Sequence, residues 1–186
     1  MRAIAKMRAR AGLAILRDRR GVAMVEFALV LPVMLLLYLG GVQLQDAMSC
    51  KRKVTITTRA AADLVAQNTT GTTTAAEIQA NLLAAAQVMQ PYAPATAQIR
   101  LTEITTDSQG RTFIIWSRGQ NTYPYPRGIR VRVNPAMSAP GSSFLVAQVS
   151  YDYRPAATFG TFGSIRLDDI IWMVPRNTDQ IACSDC

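Results

Sequence analysis

Residues 22–44 constrain this chain more than any other part of it. Glu26 is the only ionisable carboxylate among those 23 positions, and residues 27–39, FALVLPVMLLLYL, carry no charge. A helix of that length reaches roughly 34 Å at about 1.5 Å per residue, slightly more than the approximately 30 Å hydrocarbon core of a bilayer. The run therefore predicts a transmembrane helix over 22–44. Pro32 would kink a soluble helix, but membrane helices tolerate proline because neighbouring groups satisfy the freed carbonyl.

Charge gives the orientation. Residues 1–21 hold Arg2, Lys6, Arg8, Arg10, Arg17, Arg19 and Arg20 against Asp18, a net +6 of the chain's +8, which leaves +2 for the other 165 residues. Seven basic residues precede the span and a Lys51-Arg52-Lys53 cluster follows it, so the leader at 1–21 is expected to be cytoplasmic and the C-terminal part periplasmic. A basic tail abutting an apolar run is a membrane signature, and it argues against nucleic acid as a partner, which needs a basic folded face. No small-residue A-x-A site follows the run, where the chain reads QDAMSCKRK, so the segment is expected to stay in the mature protein as an inner-membrane anchor.

At 186 residues there is room beyond the span for one small domain. Val54, Ala61, Leu64 and Val65 recur near helical spacing, which predicts that the membrane helix continues as an amphipathic stem over 45–67. The run NTTGTTT at 68–74 reads as a loop, since glycine and short hydroxyl side chains compete for backbone hydrogen bonds. A second helix over 75–90 follows, with Thr74 as its cap, Glu77 as the capping-box partner and Ile78, Leu82 and Val88 on its apolar side, until Pro91 stops it. Alternating, β-branched segments at 97–105, 112–117, 129–133 and 143–153 then predict antiparallel strands, with Asp107–Gly110 as the first hairpin turn and SIRLDDIIWMVPR as a further strand. The expected architecture is α+β: the long helix, then a domain over 68–186 with a second helix and an antiparallel sheet.

The junction at 19–32, RRGVAMVEFALVLP, carries the functional signal. A carboxylate in a membrane helix costs something like 2.5–3.5 kcal/mol near the bilayer centre and less near the interface, so Glu26 requires a reason. Cleavage after Gly21 supplies one. Val22 then becomes an α-amino terminus, and Glu26 lies one turn below it, where ammonium and carboxylate can pair within or between subunits. Glycine before the scissile bond lets extended backbone approach a peptidase closely. Glycine, four residues and then Glu26-Phe27 resembles the processing motif of type IV prepilins, and the whole junction, together with RKVTITTRAAADLVAQ after the span and WMVPRNTDQIAC near the end, is similar to the TadE/TadG-like family of the tight-adherence pilus system. The resemblance implies a minor pilin or pseudopilin that helps to assemble a pilus and has no chemistry of its own. It implies a prepilin peptidase, other pilins and pilus assembly proteins, and inner-membrane lipid as partners. The chain is too short for the additional adhesin-like domain of many TadG members, so TadE-like is the closer label. The alternative is an unprocessed single-pass anchor that carries a periplasmic binding or adhesion module.

An enzyme is not expected. The chain has no histidine, which excludes imidazole as base, shuttle or metal ligand, and no nucleophile motif, cofactor motif or metal-ligand spacing stands out. Asp168-Asp169 makes a poor cation cage, because adjacent strand residues point to opposite faces, and a solvated turn accounts for the pair better. Trp116, Tyr123, Tyr125, Tyr151, Tyr153 and Trp172 read as sheet packing before they read as a sugar-binding surface. Three cysteines, Cys50, Cys183 and Cys186, are disulfide candidates in an oxidising compartment. Cys183-Ser-Asp-Cys186 has thioredoxin-like spacing but no following helix to lower a thiol pKa. A bridge from Cys50 to Cys183 or Cys186 would close more than 130 residues, worth about 4–5 kcal/mol, so that long-range staple is the expected pairing.

Overall fold

In the computed structural model, which describes residues 20–155 and 163–186, the first element is one unbroken helix, α1 (Arg20–Ala66), of 47 residues. It passes through Pro32 without interruption. The basic leader expected at 1–21 lies outside the described residues up to position 19. The chain divides into two compact units between Gln45 and Asp46.

The first unit is the apolar part of α1. Its large side chains from Val22 to Leu44 are almost all exposed.

The second unit begins within the same helix. Cys50, Val54, Ala61 and Val65 line up at spacings of four and seven and are fully or almost fully buried, so one face of α1 past Asp46 is part of the domain core. Thr57 and Thr58 are buried on that side too, and the Thr58 hydroxyl is satisfied by donating to the Val54 carbonyl at 2.9 Å. The threonine-rich stretch after α1 is mostly loop, as its composition predicts, but Thr72–Thr73 form a short strand, β1. Helix α2 (Ala75–Ala86) follows, then a 3₁₀ turn over Gln87–Met89 that absorbs the last residues of the helix expected to reach 90. Thr74 caps α2, its side chain accepting from the Glu77 amide at 3.2 Å. The Glu77 carboxylate is met by the Thr73 hydroxyl at 2.9 Å.

Five antiparallel strands make the main sheet: β2 (Gln98–Thr106), β3 (Thr112–Gln120), β4 (Arg130–Val131), β5 (Ser143–Tyr153) and β6 (Ile165–Met173), in the order β4-β3-β2-β5-β6. The expected strand at 129–133 is thus real but pairs over only two residues, Val131 with Thr112 and Arg130 with Phe113. Gly110 closes the β2–β3 hairpin at φ +72°, a conformation that costs glycine nothing. A bulge in β3 opposite Glu103 and Ile104 lets Ile115 and Trp116, although consecutive, both pack on the inner face, while Ile114 turns to the outer one. The inner face meets α1 and α2 through Ile99, Leu101, Leu145, Ala147 and Val149. The outer face has a smaller apolar cluster of Ile104, Ile114 and Val146. A last strand, β7 (Ala182–Cys183), pairs in parallel with β1, so the C-terminal segment returns beyond the end of α1. The fold is α+β with a membrane-capable helix.

Candidate functional site

Gly21, Val22, Glu26 and Phe27 occupy the first two turns of α1 and all are exposed. Val22 and Glu26 are four apart and share a helix face, the spacing at which a new amino terminus and a carboxylate can meet. An added Cβ at Gly21 would meet nothing within 4 Å, so the position does not need glycine for packing.

Below this junction α1 is the one helix among the described residues long and apolar enough to cross a membrane, with a mean hydropathy of 2.4 over its most apolar window. In the second unit three apolar side chains of the helix are exposed, Met48 at 54 %, Ile56 at 51 % and Leu64 at 41 %, each eight residues from the next and so turned by about 80° from it.

Asp46, where the second unit begins, ties α1 to the sheet. Its carboxylate accepts from the Tyr92 hydroxyl at 2.8 Å and from the Tyr153 hydroxyl. Tyr92 stacks edge-on against both Tyr151 and Tyr153. Burial, then the hydrogen bond to Asp46, pushes the Tyr153 phenol up to about 12 and raises Tyr92 as well, so both remain donors at any physiological pH. Higher on the helix, Lys51 donates to the Asp168 carbonyl and lies 3.7 Å from the Asp169 carboxylate, while Arg176 pairs with Asp63.

The expected long-range disulfide does not form. Cys183 bonds Cys186, and Cys50 is a free, buried thiol. Geometry explains the difference. Cys183 pairs across β7 with Thr73, past the end of α1, whereas Cys50 is 16 residues back along that helix, about 24 Å at 1.5 Å per residue. Cys183 and Cys186 have Cα atoms 5.6 Å apart, within the ordinary range for a bridge. Burial, with help from Asp46, pushes the Cys50 thiol up to about 11, so it behaves as a small apolar side chain. Cys183, Asp185 and Cys186 converge, but both sulfurs are committed to the disulfide, which leaves one carboxylate and no metal set. That carboxylate accepts from the Ala75 amide at 2.8 Å, at the start of α2.

Asp168 and Asp169 lie inside β6, not in a turn, and are held on separate partners, Arg166 and Lys51. The aromatic residues do not share a surface. Trp116, Tyr151 and Tyr153 are buried on the inner side, Trp172 is on the outer side, and Tyr123 projects from the β3–β4 connection, 89 % exposed. Sequence reasoning missed Asp46, Tyr92 and Glu103. Glu103 alone had a visible signal, a carboxylate at an inward position of an alternating strand.

Residues 21–63 match the family model described as TadE-like protein. No curated protein and no solved structure matches the chain. The matched segment holds the junction, the apolar run and most of the stem. It is consistent with the TadE/TadG-like family and indicates a role in the tight-adherence pilus system.

Proposed function

We propose that this chain, TadE-like over residues 21–63, is a minor pilin or pseudopilin-like structural component in assembly of a tight-adherence pilus. The observation that carries the reading is the unbroken α1, which joins the junction at Gly21–Phe27, a bilayer-length apolar surface and one wall of a folded domain in a single element. In this reading a prepilin peptidase cuts after Gly21 while the leader is cytoplasmic. The Val22 ammonium then faces Glu26, and the domain stands in the periplasm on an inner-membrane anchor. Other pilins and assembly proteins are the partners.

The test is the mature N-terminus, by intact mass and N-terminal sequencing of the membrane-bound protein with and without its prepilin peptidase. Gly21→Ala is a clean control, since the added methyl meets no neighbour and changes only what a peptidase sees. The expected result is a peptidase-dependent terminus at Val22 that the variant loses. A chain beginning at Met1 in every case overturns the processing step and leaves a plain single-pass anchor.

A further inference from the structure

Toward the start of β2 the outer face of the sheet is polar. The register puts Gln98 beside Ser150 and Asp168, and Arg100 beside Gln148 and Ile170, on the side away from the buried Ile99, Leu101 and Val149. These residues line a cleft of about 430 Å³, and Ile170 is the one apolar side chain among the described residues around it.

Arg100 is half-buried there, and no ion pair among the described residues includes it. Its partners are all neutral. Nε donates to the Tyr123 carbonyl at 2.8 Å, Nη2 to the Thr122 hydroxyl at 2.9 Å and Nη1 to the Gln148 side-chain oxygen at 3.1 Å, while the guanidinium stacks on Tyr125, 4.1 Å from the ring centre. A guanidinium has five N–H groups, so one remains on each terminal nitrogen. The Gln148 oxygen also accepts from the Tyr125 hydroxyl at 3.3 Å, and the Gln98 oxygen accepts from Arg166 at 3.3 Å, which fixes the orientation of both amides. Neither amide nitrogen has a hydrogen-bond partner among the described residues, so the cleft holds a surplus of donors. Its carboxylate is Asp168, which the Ser150 hydroxyl first, and then Arg166, hold below the usual carboxyl range.

The cleft is built before anything binds. Gly119 lies opposite Arg100 on β3, and a Cβ there would come within 2.2 Å of the Thr122 carbonyl oxygen, so glycine is what lets the turn after β3 fold over the sheet. Asn121 makes that turn at φ +54°, with its amide nitrogen donating to the Ala95 and Ala97 carbonyls at 2.7 and 2.9 Å. The turn sets Thr122 and Tyr123 against Arg100. A site ordered in advance loses little entropy on binding.

We infer that this cleft binds a sugar acid, a polyol unit that bears one carboxylate. The carboxylate takes the remaining N–H groups of Arg100 and those of the two glutamines, a charge-assisted pairing that suits the guanidinium fork. Ring hydroxyls donate to Asp168, whose charge Arg166 already offsets, so no ammonium group is needed there. A dianion would be pressed against Asp168, and an acyl chain or apolar peptide would leave the polar lining unpaired. The inference is independent of the pilin reading and stands equally for a plain anchor.

The experiment uses the full chain in nanodiscs of zwitterionic lipid and follows binding of galacturonate by saturation-transfer NMR, with galactose as the same ring without the acid and with acetate and sulfate as competitors. Galacturonate is expected to bind at least about tenfold more tightly than galactose or acetate, and to weaken with added salt. Arg100→Gln should remove at least about that factor. Because Arg100 also holds the turn, Gln98→Ala is the second variant: it removes an amide donor, leaves the turn untouched, and should weaken binding severalfold with the melting temperature unchanged. The α-1,4-linked trimer distinguishes the sources, since a saccharide chain predicts binding at least as tight as the monomer and a free sugar acid predicts none. Absence of galacturonate binding, equal binding of galactose or acetate, tighter binding of sulfate, or affinity that survives both variants would each overturn the inference.

Discussion

Glu103 is the residue whose chemistry fits its surroundings least. It is fully buried on the inner face of β2, where one carboxyl oxygen accepts from the Ile181 amide at 2.8 Å and the other has no protein partner. Burial pushes its pKa up to about 7, against the opposing pull of the Ile181 amide and the Trp116 indole. The folded protein therefore holds this proton where the unfolded chain, with an ordinary carboxyl, has lost it. Stability is then fullest below the unfolded value of 4.5 and falls as pH rises toward 7, by a total on the order of 3 kcal/mol. Glu103→Gln keeps an acceptor for Ile181 and removes the charge. Thermal melts should show the variant close to wild type near pH 5 and clearly more stable near pH 8, with a flatter profile between. Parallel profiles for the two proteins would mean that the carboxyl is already solvated or ion-paired.

Among the elements, α2 shows how local and distant sequence share one task. Thr74 caps Glu77 from within the motif, while Asp185, 110 residues away, accepts from Ala75 and adds a negative charge at the positive end of the helix. Thr74→Ala should cost about 1 kcal/mol in denaturant unfolding, and Thr74→Ser should restore most of it. No change in the alanine variant would show that Asp185 alone suffices. The Thr74 half of this arrangement was legible in sequence, because a hydroxyl three residues before an acid is a local pattern. The Asp185 half was not, because nothing near position 185 encodes its neighbour. The same division runs through the sheet. Alternating patterns placed β2, β3 and β5 within a few residues, yet β1 and β7 have two residues each and owe their pairing to the return of the C-terminal segment. The cysteine pairing failed for a related reason. Loop entropy favours the longer closure, but it operates only between thiols that the fold brings together, and α1 carries Cys50 away from the C-terminus.

At the scale of the whole molecule, the physical boundary does not follow the composition. The sequence changes texture at the NTTGTTT loop, which suggests a domain starting at 68, but the compact unit starts at Asp46. The difference is the stem, whose Cys50, Val54, Ala61, Ala62, Val65 and Ala66 belong to the main core. Removing these six side chains forfeits roughly 5–10 kcal/mol of burial, comparable with the entire net stability of about 5–15 kcal/mol expected of such a domain. It also strands Arg176, Tyr92 and Tyr153, whose partners Asp63 and Asp46 lie on the lost helix. A fragment of residues 46–186 should thus be soluble without detergent and unfold cooperatively, while 68–186 should lack a cooperative transition and expose apolar surface to a hydrophobic dye. Cooperative folding of the shorter fragment would make the stem a passenger. Failure of the longer one would mean that the domain draws stability from the membrane part of α1. Success of the longer fragment alone would assign one helix two solvents, lipid up to Gln45 and protein core from Asp46.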